Sequence, residues 1–122
     1  MDFHLQKDTR VYVAGHKGLI GSAFIRFFKK NHYKNIITKD KLELDLTCKE
    51  DTINFFRENQ PEVVILAAGK VGGIIQNRDY PADFIFENLS IQINVLSAAY
   101  EFHVKQLIFF ASSCMYPKDT HQ

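Results

Sequence analysis

Apolar positions fall in blocks along the chain, and the blocks predict strands covered on both faces with amphipathic helices between them. Residues 10–14 (RVYVA) form a short β-branched and aromatic run stopped by Gly15, which suits a strand buried on both sides. Over residues 19–30, Ile20, Phe24, Phe27 and Phe28 recur at helical spacing, and Lys29 and Lys30 stand at the end where the helix dipole favours cations. A second short strand is predicted over residues 35–38 (NIIT). A helix over 48–59 follows, carried by Ile53, Phe55 and Phe56 and ending ahead of Pro61. Thr47, with Glu50 three residues on, has the form of a capping box. Residues 62–68 (EVVILAA) are the most strand-like stretch, and 69–73 read as a glycine-punctuated loop. Residues 81–102 read as a long helix with Pro81 in its first turn, where a missing N–H costs nothing, and 106–111 (QLIFFA) as a fourth strand.

The resulting β-α-β-α-β-α-β order predicts the α/β class: a doubly wound parallel sheet with right-handed crossovers. A length of 122 residues, 46% of them apolar and 24% charged, fits one domain. Such a chain buries roughly two thirds of its unfolded surface, enough for a core without staples. Lys and Arg number 15 against 14 Asp and Glu, so no broad field draws nucleic acid or an anionic membrane. Two cysteines are too few for a disulfide framework, which points to a reducing compartment. Residues 1–9 (MDFHLQKDT) form a polar tail without the apolar stretch of a signal peptide, and no apolar run approaches the ~18 residues of a membrane span. A cytoplasmic location is expected. The five histidines show no metal-ligand spacing, so no metal site is expected, and Cys48 reads as structural.

Candidate chemistry begins at the glycine loop. Gly15, His16, Lys17, Gly18, Leu19, Ile20 and Gly21 spell G-x-x-G-x-x-G between the first strand and the first helix. The first glycine permits the tight turn, the second lets the backbone approach a pyrophosphate, and the third lets helix pack on strand. Backbone N–H groups and the positive end of the helix dipole then face the phosphates. Strand before and helix after is the context that this motif requires, and a nucleotide-phosphate site is the reading it supports. At the end of the second strand, an acidic residue would hold a ribose 2′-hydroxyl and a cation would accept a 2′-phosphate. Thr38, Lys39 and Asp40 stand there, with Lys17 nearby in the glycine loop; two lysines against one aspartate favour NADP over NAD. The alternative for Lys39 and Asp40 is a pair of solvated loop charges.

The spacing G-x-x-G-x-x-G resembles the extended branch of the short-chain dehydrogenase/reductase superfamily. The segments GHKGLIGSA, ELDLT, ILAAGKVGGI, YPADFIFEN and SSCMYPK, in this order, resemble the GDP-L-fucose synthase family within it, over residues 10–122. That resemblance implies a Rossmann-type domain binding NADP(H), with residues 15–21 on the pyrophosphate and Lys39 at the 2′-phosphate. Asp45 and Leu46 would lie by the adenine, and Ala67, Ala68 and Lys70 beneath the cofactor after the third strand. Ala111 and Ser112 would follow the fourth. The family often has arginine at positions 17 and 39, where lysine here keeps the charge and loses the bidentate fork.

The resemblance also implies the reaction: epimerisation of GDP-4-keto-6-deoxy-D-mannose at C3 and C5, then reduction of C4 by NADPH to give GDP-L-fucose. Ser112 would polarise the 4-keto oxygen, and Cys114 would serve as acid/base in epimerisation. The ketone acidifies the C3 and C5 protons, and a thiol titrating near working pH can move them. Asn94, in the long helix, is a candidate to brace the loop after the fourth strand.

The family's Tyr-x-x-x-Lys pair does not occur among these residues. The expected domain organisation is therefore a polar tail over 1–9 and a partial NAD(P)-binding domain over 10–122. The sheet would be truncated after about four strands, and the substrate domain would be absent. Unaided catalysis by this chain is not expected. A homodimer or a complementing carboxy-terminal chain is an expected partner. Two alternatives are a stand-alone nucleotide-binding or interaction module and a fragment of another NAD(P)-dependent nucleotide-sugar epimerase or dehydratase.

Overall fold

The computed structural model describes residues 4–112 and Pro117. Its elements run β1 (Val11–Ala14), α1 (Leu19–Lys30), β2 (Ile36–Ile37), α2 (Lys49–Asn59), β3 (Val63–Leu66), α3 (Ile74–Asp79), α4 (Pro81–Glu101) and β4 (Gln106–Phe109). All four strands pair in parallel, in the order β2-β1-β3-β4. Val11 registers with Ile36 on one side and Val63 on the other, and Val63 in turn with Gln106.

Alternation along β1 and β3 divides the core into two layers, because successive side chains in a strand point to opposite faces. Val11, Val13, Val63 and Ile65 face α1, where Phe28 is buried and Phe24 and Ile25 pack behind it. Tyr12, Ala14, Val64 and Leu66 face the other way. They meet Phe55 and Phe56 of α2 and Val95, Ala98 and Ala99 of α4. Burial pushes the Tyr12 phenol well above its ordinary value, with desolvation as the cause. Both faces of the central strands are thus covered, which is why their sequences are continuously apolar. This is the doubly wound Rossmann-type arrangement expected from the sequence.

Several local expectations are revised. The packed face of α1 is Phe24, Ile25 and Phe28, while Ile20 and Phe27 are exposed. The cap of α2 is Cys48, not Thr47, and no side chain caps the helix. The Thr47 hydroxyl and N–H instead both donate to Asp45 Oδ1, at 2.7 and 2.9 Å, closing an Asx-type turn that holds Thr47 on Asp45 one residue ahead of the cap. Residues 74–79 form a short helix, α3, with no buried residue.

Asn94 braces a different loop from the one expected. Its Nδ2 donates to Leu46 O at 2.9 Å and Thr47 O at 3.0 Å, fixing the segment after β2 onto α4. Asn94 is buried, so both carbonyls would lose a donor that water cannot readily replace. Asn94→Leu is expected to cost about 2 kcal/mol of stability, read from the urea midpoint. An unchanged midpoint would contradict this bracing role.

Candidate functional site

In the strand order β2-β1-β3-β4, the chain leaves β1 in one direction and β3 in the other. A crevice therefore opens between the carboxyl ends of those two strands, the usual ligand position in such sheets. The glycine loop forms one wall. Gly15 adopts φ +80°, and a Cβ there would lie 2.7 Å from the main chain of Ala67 and Ala68. Gly18 N–H closes the turn on Gly15 O at 3.0 Å. A Cβ on Gly21 would lie 2.1 Å from Gly15 O, so α1 can start this close to the turn only with glycine there.

Gly18 differs from both. Its backbone is extended (φ −73°, ψ 174°), a conformation open to any residue, and the nearest atom to a Cβ would be Gly15 O at 3.4 Å. Packing therefore does not demand a glycine at 18. Gly18 is the N-cap of α1, yet no side chain caps that helix and its first turn holds no acidic residue. Ser22 N–H is the first to reach back, to Gly18 O. The N–H groups of Leu19, Ile20 and Gly21 find no acceptor among the described residues. Three free donors, the positive end of a 12-residue helix and an uncluttered approach over Gly18 fit an anion such as a pyrophosphate.

The cations expected near a 2′-phosphate each have a carboxylate partner. Lys17 Nζ lies 2.7 Å from Asp40 Oδ2, and His16 Nε2 lies 3.4 Å from Asp40 Oδ1, so Asp40 ties the glycine loop to the end of β2. The Lys17 hydrogen bond, chiefly, holds the Asp40 carboxyl below its ordinary value. Lys39 Nζ stands 3.5 Å from Glu43, whose carboxyl is held low first by the Asp40 N–H and then by Lys39. Asp45 is likewise held low by the Thr47 hydroxyl and N–H. The Leu46 side chain turns into the core, and its carbonyl is taken by Asn94.

The second wall follows β3. Ala67 N–H still pairs with Ala14 O at 3.0 Å, and Ala68 and Lys70 continue from it. Lys70 Nζ lies 2.6 Å from Glu87, which also takes Lys41 at 3.5 Å, and the Lys70 hydrogen bond holds the Glu87 carboxyl low. Glu87, Asn88 and Lys41 carry no local sequence signal, since their partners come from other elements. Ala111 and Ser112 follow β4 and are exposed. Cys114 lies outside the described residues. The structure thus brings residues 15–21, Lys39, Asp45, Ala67, Ala68 and Lys70 to the carboxyl end of one sheet, with Ala111 and Ser112 beyond β4.

A sequence profile of the NAD dependent epimerase/dehydratase family matches residues 11–122. GDP-L-fucose synthase 1 of Arabidopsis thaliana is 52% identical over 112 residues, which are 92% of this chain and 35% of that protein. Among solved structures, the chain is similar to a GDP-D-glycero-L-gluco-heptose synthase from Campylobacter jejuni determined in the presence of NADPH. That match has 40% identity and a TM-score of 0.92, and it covers 97% of this chain and 34% of the other. A GDP-L-fucose synthetase from Naegleria fowleri bound to NADP matches with 28% identity and a TM-score of 0.85, over 98% and 39% of the two chains. The chain spans about a third of the length of the curated relatives it matches.

Proposed function

The chain belongs to the NAD dependent epimerase/dehydratase family, and on that basis we propose that it is the NADP(H)-binding part of a GDP-L-fucose synthase. The observation that carries this reading is the start of α1, where Leu19, Ile20 and Gly21 offer N–H groups with no acceptor among the described residues, over a Gly18 that no side chain caps. These groups would hold the cofactor pyrophosphate. Lys17 and Lys39 would meet the 2′-phosphate, each exchanging its carboxylate partner for it, while Asp45 and the backbone of Leu46 line the adenine side. Ala67, Ala68 and Lys70 would support the opposite side.

Held by these residues, the cofactor would supply the hydride for reduction of a 4-keto group. The chain's own contribution to that chemistry is Ser112, whose hydroxyl would donate to the 4-keto oxygen, and Cys114, whose thiol would carry protons at C3 and C5 of GDP-4-keto-6-deoxy-D-mannose. The proton donor to the forming alkoxide is assigned to the Tyr-x-x-x-Lys pair of the family, which is not among these 122 residues. The proposal for this chain alone is therefore binding rather than turnover.

Cofactor choice is tested by fluorescence titration with NADPH and NADH. Lys17→Ala and Lys39→Ala are each expected to weaken NADPH binding about tenfold, the scale of one charge-assisted hydrogen bond, and to leave NADH binding unchanged. NADPH affinity untouched by Lys39→Ala would remove that residue from the 2′-phosphate site.

A further inference from the structure

Lys70 is held at both ends by consecutive residues of α4. Asn88 Oδ1 accepts the Lys70 N–H at 2.7 Å, and Asn88 Nδ2 donates to Lys70 O at 3.1 Å. One amide side chain thus matches both main-chain groups of one residue, as a neighbouring strand would. Glu87, one position earlier, takes the Lys70 ammonium at 2.6 Å, with the Phe84 ring centroid 5.3 Å from Nζ. The ladder of β3 has already ended, with Ala67 N–H on Ala14 O and Phe110 N–H on Leu66 O. The next fastening of the loop among the described residues is at Gly72 and Gly73, whose carbonyls accept from Asn77. Between those points Asn88 is the main-chain anchor. Gly69 shows how close the anchor lies, because a Cβ there would stand 3.0 Å from Asn88 Oδ1.

Resting on the cofactor reading above, we propose that Asn88 is a positioning residue that fixes the β3 wall of the crevice through Lys70, without itself touching the cofactor. Residues 67–68 carry the turn at Gly15, so slack in the loop beyond them is transmitted to the face on which the glycine loop sits. An amide is suited to this task because it offers one donor and one acceptor in a fixed plane, matching a peptide's N–H and C=O. Aspartate keeps the acceptor and replaces the donor with an oxygen facing Lys70 O.

The test uses the full chain and its Asn88→Leu and Asn88→Asp variants, with hydrogen–deuterium exchange, thermal midpoint and NADPH titration read on each. Asn88→Leu is expected to speed exchange at residues 67–73 at least tenfold and to weaken NADPH binding about tenfold. Exchange in the later turns of α4 should stay unchanged. Asn88→Asp is expected to fall between the two, and it carries the test should the leucine variant fail to fold. Unchanged exchange at 67–73 would overturn the anchor. Faster exchange with undiminished NADPH affinity would overturn its role in binding. A parent chain that takes up no NADPH while its variants still loosen at 67–73 would reject the cofactor reading and reduce Asn88 to a structural tie, which also overturns the inference.

Discussion

The Gly18→Asp variant is expected to melt a few degrees higher than the parent chain and to bind NADPH at least a hundredfold more weakly. Both effects come from one position. Gly18 is the N-cap of α1, its backbone is extended, and a Cβ there meets nothing closer than 3.4 Å. Aspartate is among the preferred N-cap residues. Its carboxylate accepts from free N–H groups of the first turn and complements the helix dipole, gains that together come to about 1 kcal/mol. For a domain of this size that corresponds to roughly 3–5 °C in midpoint. The same carboxylate would fill the approach left open for a pyrophosphate and repel its charge. A rise in midpoint with cofactor affinity intact would mean that the phosphates sit elsewhere. A fall in midpoint would mean that the helix start is not built as described.

Gly21→Ala is expected to be the most destabilising of the loop substitutions. Its Cβ would stand 2.1 Å from Gly15 O, 2.7 Å from Gly15 C and 2.8 Å from His16 Cα. All three are backbone atoms, so no flexible side chain can give way, and α1 would have to move off the turn. Overpacking of this kind costs about 3 kcal/mol, a large share of the ~5–15 kcal/mol that holds a domain together. Urea unfolding should show the loss directly as a lower midpoint at similar slope. A cost under about 1 kcal/mol would contradict the close packing of helix on turn. The contrast between Gly18 and Gly21 is one of packing: backbone closes on Gly21, whereas no contact requires a glycine at position 18.

Much of this was legible in the sequence because the central strands are buried on both faces. Val11 to Ala14 and Val63 to Leu66 must then be apolar throughout, and such runs bounded by turns are visible without partners. The glycine loop was legible for a similar reason, since backbone contacts at Gly15 and Gly21 exclude any side chain.

What was hidden depends on contacts between distant segments. Asn94 and Asn88 look alike along α4, yet one fastens Leu46 and Thr47 and the other fastens Lys70. Lys39 and Asp40 stand side by side in the sequence, but their partners come from elsewhere: Asp40 takes Lys17 and Lys39 lies against Glu43. Thr47 spells a capping box, but it belongs to the turn closed by Asp45, and the helix starts one residue later, from Cys48. The helix α3 buries nothing, so no hydrophobic period marked it. Ile20 and Phe27 fit the helical period of α1 but stand at the edge of its packed face, beyond the reach of β1 and β3.

Whether the start of α1 seats the pyrophosphate of NADP(H) is decided by titrating the unmodified chain with NADPH and with NADH, followed by nicotinamide fluorescence. One NADPH is expected to bind saturably per chain, more tightly than NADH. A folded chain that shows no saturable response to either nucleotide would contradict it.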